Sequence, residues 1–325
     1  MNLYDPIVQS FKVTYNYKLY FTKHLFSTDN SLFNSILESY KPEESIKVLF
    51  VLDSNVLKHH PELKTEIKTY CEHYSDHITY TDLIVVPGGE QSKNNSGFVD
   101  EILKGIDTNK ICRHSFMVAI GGGAVIDMVG YAAAIAHRGV KLIRIPTTVL
   151  SQNDAAVGVK NSINLLNKKN FVGTFSTPYA IINDSEFLDT LEDRDWISGI
   201  AEAIKVALVR DKTFFKFIED NAEGLFKRDK ETMQYLIYKC AQLHMEHIAQ
   251  GGDPFESGSS RPLDFGHWAA HKLEHMTSYQ IRHGEAVAIG MSIDLTYAYL
   301  INLIDLKILK SILKVIENVG FNIDV

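Results

Sequence analysis

The chain has 325 residues, 45% hydrophobic and 22% charged, with a formal net charge of −7. That length gives two domains or one large one with material for a real core, and the charge balance leaves no basic footprint for nucleic acid or an anionic membrane surface. An anionic small molecule is not excluded, because the charge of a local pocket decides its binding. Along the first half, short apolar runs alternate with amphipathic stretches. Lys47 to Asp53 reads as a buried strand. Pro61 to Tyr74 reads as a helix, with Leu63, Ile67, Tyr70 and Tyr74 at helical spacing. Leu83 to Val86 is a further apolar run, Phe98 to Ile106 a short helix, Phe116 to Ile120 a strand that ends in three glycines, and Leu142 to Ile145 a strand stopped by Pro146. Such alternation predicts a parallel sheet covered by helices.

After about residue 185 β-branched runs become rare. Long amphipathic stretches follow at Arg194–Arg210, Glu231–Gln250, Phe265–Met276 and His283–Leu303. The expected organisation is an α/β domain over 1–183 and a helical domain over 184–325, packed closely because no low-complexity linker separates them. Cys71, Cys112 and Cys240 are odd in number with no CxxC pair, and read as free, mostly buried thiols of a reducing compartment. Asp5, Gln9, Lys12, Lys18 and Lys23 interrupt the start of the chain, so no secretory signal is read there. No stretch approaches the roughly 18 apolar residues of a membrane span, and a cytoplasmic protein is expected.

Strand Phe116–Ile120 runs into Gly121-Gly122-Gly123 and then Ala124-Val125-Ile126-Asp127. A strand, a glycine turn and a helix start make a phosphate cradle, because backbone N–H groups approach a pyrophosphate without Cβ interference. Asp127 is placed to bond a polar cofactor group. The order departs from GxGxxG, so a simple tight turn remains the alternative. A second polar turn, Gly89-Glu90-Gln91-Ser92-Lys93, closes another strand, and ligands of open α/β sheets gather at such carboxyl ends.

In the second half, His267, His271 and His275 stand at i, i+4 and i+8, and His283 opens a further helix. Imidazoles plus one carboxylate form a catalytic metal shell with an open position. Glu202, in the apolar stretch Ile200-Ala201-Glu202-Ala203-Ile204-Lys205, is the candidate carboxylate. A surface Glu202–Lys205 pair with solvated histidines is the alternative. Asp154, Lys160, Asn161, Lys168, Lys169 and Asn170 lie in glycine-containing loops that suit a phosphate or a polyol, and Arg138 at the end of the glycine-turn helix can join them. A solvated basic loop is the alternative there.

Six segments, GGGAVIDMVGYAAAIAHRG, IPTTVLSQNDAAVGVK, KKNFVGTF, AEAIK, DFGHWAAH and RHGEAVAIGM, fall in one order between about Asp53 and Met291. Together they resemble the 3-dehydroquinate synthase superfamily, the sugar phosphate cyclases. The resemblance implies a Rossmann-like NAD-binding α/β domain, then an all-α domain that carries a divalent metal, zinc or cobalt, in a homodimer. It makes Glu202, His267 and His283 the metal ligands and leaves His275 out. Asp53, Asn55, Glu90, Lys93, Gly122, Gly123, Asp127, Thr147, Thr148, Thr190 and Leu191 match the NAD contacts. Asp154, Lys160, Lys205 and His271 match catalytic positions, His271 also facing phosphate. Arg138, Lys169, Asn170, Arg261 and Asp264 match substrate and phosphate contacts, Arg138 across a dimer interface. The implied reaction lends a hydride to NAD⁺ and takes it back, eliminates phosphate, and closes a carbocycle by an internal aldol step, with the metal as Lewis acid and lysines against successive oxyanions.

Dehydroquinate synthases hold the substrate carboxylate with a lysine in the helix before the histidine motif and an arginine just ahead of it. Those places fall on Glu246 and Ser260, with Arg261 one residue away; Glu246 would repel a carboxylate. The segment DPFESGSSRPLDFGHWAAHKLE instead resembles the 2-epi-5-epi-valiolone synthase branch, whose substrate, sedoheptulose 7-phosphate, has no carboxylate. A heptulose phosphate of that kind is the expected substrate; 3-dehydroquinate synthase and a metal-dependent polyol dehydrogenase are the alternatives. Family members continue some tens of residues past the position of Val325 and add a basic phosphate contact there.

Overall fold

A computed structural model describes residues 4–166, 168–252, 254–255, 262–277 and 280–323. The first half runs β1 (Lys18–Thr22), α1 (Leu32–Tyr40), β2 (Ile46–Asp53), α2 (Ser54–His59), α3 (Leu63–His73), β3 (Ile78–Val86), α4 (Gln91–Asn94), α5 (Ser96–Thr108), β4 (Phe116–Gly121), α6 (Gly123–Ile135), β5 (Lys141–Pro146), β6 (Lys160–Leu165), β7 (Lys168–Phe175) and β8 (Ala180–Asp184). The second half is helical: α7 (Asp193–Arg210), α8 (Lys212–Asp220), α9 (Ala222–Phe226), α10 (Lys230–Gln250), α11 (His267–Met276), α12 (His283–Leu300) and α13 (Leu306–Asn318).

Six strands form one sheet in the order β1-β8-β5-β4-β2-β3, and every pairing is parallel. Strand β2 shows why its sequence is apolar without alternation. Val48, Phe50 and Leu52 enter one core layer, with residues of α1 and α3, while Leu49 and Val51 enter the opposite layer, with residues of α5 and α6. A strand buried on both faces needs an unbroken apolar run. Strand β3 lies outside β2 and the chain then crosses back, so β4 and β5 build the other way. At such a reversal the carboxyl ends of the strands leave a crevice, here between Asp53 of β2 and Gly121 of β4.

The helical half closes around Trp196, Ile200 and Ile204 of α7, Leu236 and Cys240 of α10, and Val287 and Met291 of α12. Helix α12 comes very close to its neighbours: a Cβ on Gly284 would stand 2.0 Å from the Ser198 carbonyl oxygen, and one on Gly290 2.0 Å from that of Gly266. The halves are stitched by a π-helical turn, Ser151–Ala155, closed by Ala156 N–H donating to Ser151 O at 3.0 Å. From it Gln152 Nε2 donates to Pro146 O and Asp184 O, and Asn153 Nδ2 to Gly199 O at 2.8 Å.

The expected basic loop differs in form. Lys160 and Lys169 lie on an antiparallel hairpin of β6 and β7, paired from Lys160↔Phe175 to Leu165↔Lys168 with a register shift between Ile163 and Leu165. Cys71 and Cys240 are buried, Cys112 is exposed, and all three are free. Among the described residues no helix is long and apolar enough to cross a membrane.

Candidate active site

The crevice opens into a cleft of about 590 Å³ between the sheet and α7, α11 and α12. Its floor is backbone. Gly122 precedes α6 with no side-chain cap, so the first amides of that helix are left for a ligand. The glycines are required by close approach: a Cβ on Gly123 would meet Ala155 Cβ at 2.9 Å, and one on Gly88 would stand 2.2 Å from Asp53 Oδ1. Asp53 is buried at the end of β2, where its Oδ1 accepts from Asn55 N–H at 2.8 Å. Burial pushes its carboxyl up, and backbone N–H donors, Gly122 among them, oppose that. Asn55, Glu90, Gly122, Gly123, Thr147, Thr148, Thr190 and Leu191 line the same cleft, so eight further expected nucleotide contacts come together.

Lys93 and Asp127 do not line it. Lys93, 3% exposed, gives its ammonium to Asp127 Oδ2 at 2.7 Å, Ser162 Oγ at 3.1 Å and Asn170 Oδ1 at 2.5 Å. An ammonium has three donors, and all three are engaged by protein. The lysine thus fastens the hairpin to α4 and α6. Asn164 adds a second fastening, donating to Glu90 Oε1 at 2.7 Å.

Across the cleft, Glu202, His267 and His283 converge, with one ligand atom from each within 4.8 Å of the others. Glu202 is fully buried, not part of a surface pair: its partner Lys205 is buried too, one turn on along α7. His267 Nε2 and His283 Nε2 stand 3.4 and 3.5 Å from Glu202 Oε1. Neither is a hydrogen bond, and while Oε2 faces the Lys205 ammonium, Oε1 is buried without a hydrogen-bond donor. Ligand atoms each about 2.0–2.1 Å from a tetrahedral ion are spaced about 3.4 Å apart, so this shell fits a divalent metal. Burial alone would raise the Glu202 carboxyl; the Lys205 ammonium and the two imidazoles outweigh it and hold it well below the usual range. Behind the shell, His267 Nδ1 lies 3.2 Å from Phe265 O and His283 Nδ1 3.2 Å from Glu274 Oε2, which aims each Nε2 inward.

His271 joins this group, its ring centroid 5.5 Å from that of His267 and 6.1 Å from that of His283. Burial and those imidazoles push its pKa down. Asp154, on the π-helical turn, meets His244 Nδ1 at 2.8 Å. His244 was not expected at the site. Glu246, which was, pairs with Gln242 at 2.9 Å on another face of α10, about 200° around the helix from His244. Lys169 lines the cleft with Glu274, whereas Lys160 opens β6 with its side chain exposed and Asp264 sits in the turn before α11. Arg138 is not brought to the cleft. The 13-residue α6 separates it from Gly123 by about 20 Å. Ser260 and Arg261 lie outside the described residues.

Residues 83–198 match the 3-dehydroquinate synthase N-terminal family and residues 199–325 the 3-dehydroquinate synthase C-terminal family. A 3-dehydroquinate synthase of Dictyoglomus turgidum is 37% identical over 271 residues, 83% of this chain and 74% of that protein. The chain belongs to the 3-dehydroquinate synthase family. Another member, the 3-dehydroquinate synthase of Campylobacter fetus, is 40% identical over 210 residues, 64% of this chain. That match spans 59% of the relative's length, less than two thirds of it. Among solved structures, the 2-epi-5-epi-valiolone synthase of Streptomyces hygroscopicus, with NAD⁺ and Zn²⁺ bound, superposes with a TM-score of 0.85 at 26% identity, over 98% of this chain and 84% of that one. The α/β half and the helical half are those of the family.

Proposed function

We propose that the chain is a sugar phosphate cyclase that uses a nicotinamide dinucleotide and a divalent metal. The observation that carries this reading is the buried Glu202, His267 and His283 shell, spaced for an ion and facing a glycine-floored nucleotide cleft. A bound nicotinamide would accept a hydride from a substrate carbinol and return it, while a bound zinc or cobalt ion would polarise the carbinol oxygen. The chain supplies the rest. Amides of Gly123 and Ala124, at the uncapped start of α6, receive the pyrophosphate, and Asp53, on the neighbouring strand, receives a ribose hydroxyl. Lys205, buried beside Glu202, stabilises negative charge that develops on a substrate oxygen. His271, its ring beside those of His267 and His283, can take a proton on a ring nitrogen. Lys169, which lines the cleft, would meet the phosphate, joined by Lys160 and the side-chain NH₂ of Asn170 from the same hairpin, and Arg138 would act from a second copy of the chain in a homodimer.

The proposed substrate is sedoheptulose 7-phosphate. Helix α10 offers no lysine for a substrate carboxylate: His244 faces Asp154, and Lys239 turns to Asp211 at 3.3 Å. The likeness to the valiolone synthase supports the same reading. A second reading, 3-dehydroquinate synthase, is favoured by the identity of 37–42% to enzymes of that name. Incubation with NAD⁺, Co²⁺ and either sedoheptulose 7-phosphate or the carboxylate-bearing heptulosonate phosphate of the shikimate pathway separates them. Phosphate release from the first alone is expected; release from the second alone overturns the substrate assignment.

A further inference from the structure

Glu274 has no part in the proposed reaction beyond its contact with His283. It lies on α11, 4% exposed, and points its two oxygens in different directions. Oε2 stands 3.2 Å from His283 Nδ1, and Oε1 accepts from Lys169 Nζ at 2.7 Å. A carboxylate at Nδ1 requires the proton there and leaves the Nε2 lone pair pointing at Glu202. Lys169 comes from β7, on the other side of the cleft. One side chain therefore touches both a candidate metal ligand and the hairpin of the nucleotide-binding half.

We infer that Glu274 is a positioning residue, which orients His283 for the metal with one oxygen and fixes Lys169 at the cleft with the other. The inference rests on the metal reading, which a separate arm tests. Its sequence position supports it: seven residues after His267 on a helix is a rotation of only about 20°, so Glu274 shares the face of His267 and His271. Only a carboxylate offers two acceptor oxygens to two donors without a donor of its own.

The test uses metal-stripped full chain, titrated with Co²⁺ against a competing chelator, with the visible Co²⁺ band recorded. Wild type is expected to bind and Glu202→Gln to bind at least about tenfold more weakly. If Glu202→Gln binds as wild type does, the metal reading fails, whatever Glu274 does. Glu274→Gln keeps shape and folding, checked by circular dichroism, and is expected to bind Co²⁺ about 10- to 100-fold more weakly with a shifted band. A loss below tenfold with an unchanged band overturns the inference. Should Glu274→Gln not fold, Glu274→Asp decides. Its shorter reach cannot serve both partners, so a shifted band supports the assignment and an unchanged one overturns it. Lys169→Met is expected to keep wild-type Co²⁺ affinity, and a tenfold loss there overturns the division between the two oxygens.

Discussion

Arg144 lies fully buried beneath the segment that carries Asp154 and Lys160. Its Nη1 donates to Ala156 O at 2.7 Å and Gly158 O at 2.6 Å, and its Nη2 to Asn161 Oδ1 at 2.7 Å. Burial brings its pKa down to about 10, with Asp127 opposing, so it stays charged at neutral pH. Arg144→Met should cost about 3 kcal/mol in urea unfolding, because three acceptors lose a buried charged donor. At the surface, Asp211 caps α8, accepting from Thr213 and Phe214 N–H at 2.9 and 3.0 Å. The Phe214 N–H holds its carboxyl below the usual value. A lowered folded-state pKa gives stability that is full above the unfolded value of about 3.9 and is lost as pH falls through the folded one. Asp211→Ala should therefore cost about 1 kcal/mol at pH 7, and the gap to wild type should shrink below about pH 3.9 in thermal melts.

Among the elements, α12 depends on glycines for its seat. Gly284→Ala and Gly290→Ala would each drive a Cβ to 2.0 Å from a carbonyl oxygen, displacing the helix that begins at His283. Each should cost at least about 3 kcal/mol in denaturant titration, while Gly158→Ala, with open space around its Cβ, should stay within about 0.5 kcal/mol of wild type. Elements with a strong burial pattern were legible in the sequence: β2 as an unbroken apolar run, α7 and α10 as long periodic stretches. Strand β1 was not, because KLYFT is a short edge strand whose pairing, Lys18↔Ala180, joins residues far apart in the chain. The β6–β7 hairpin hid for another reason. Lys168, Asn170, Phe171 and Gly173 of β7 are all exposed, so no period of two survives. At the site, the row of His267, His271 and His275 drifts around α11, His275 standing about 80° from His267, while the shared face passes through Glu274, which its residue type alone does not mark. His244 carried no signal beyond its type; only the turn bearing Asp154 gives it a partner.

At the scale of the whole molecule, the two halves meet around charges that need company. Glu202 contributes a buried Oε1 with no hydrogen-bond donor, so an ion bound there should act as a folding ligand as well as a reagent. At 100 times its Kd, zinc or cobalt should raise stability by about 2.7 kcal/mol. That is a rise in Tm of several degrees, reversed by chelator and absent in Glu202→Gln, as thermal melts would show. Nicotinamide dinucleotide should add a separate increment through the other half, since its cleft is lined mainly from the sheet side.

The π-helical turn at Ser151–Ala155 holds more residues per turn than an α-helix. Two adjacent side chains consequently serve different neighbours, Asn153 reaching Gly199 and Asp154 reaching His244. The constraint this places on descent is one of count more than of composition. A single-codon deletion that relaxed the turn to α geometry would rotate everything after it by about 100°, turning Asp154 off its partner and shifting Lys160 with it.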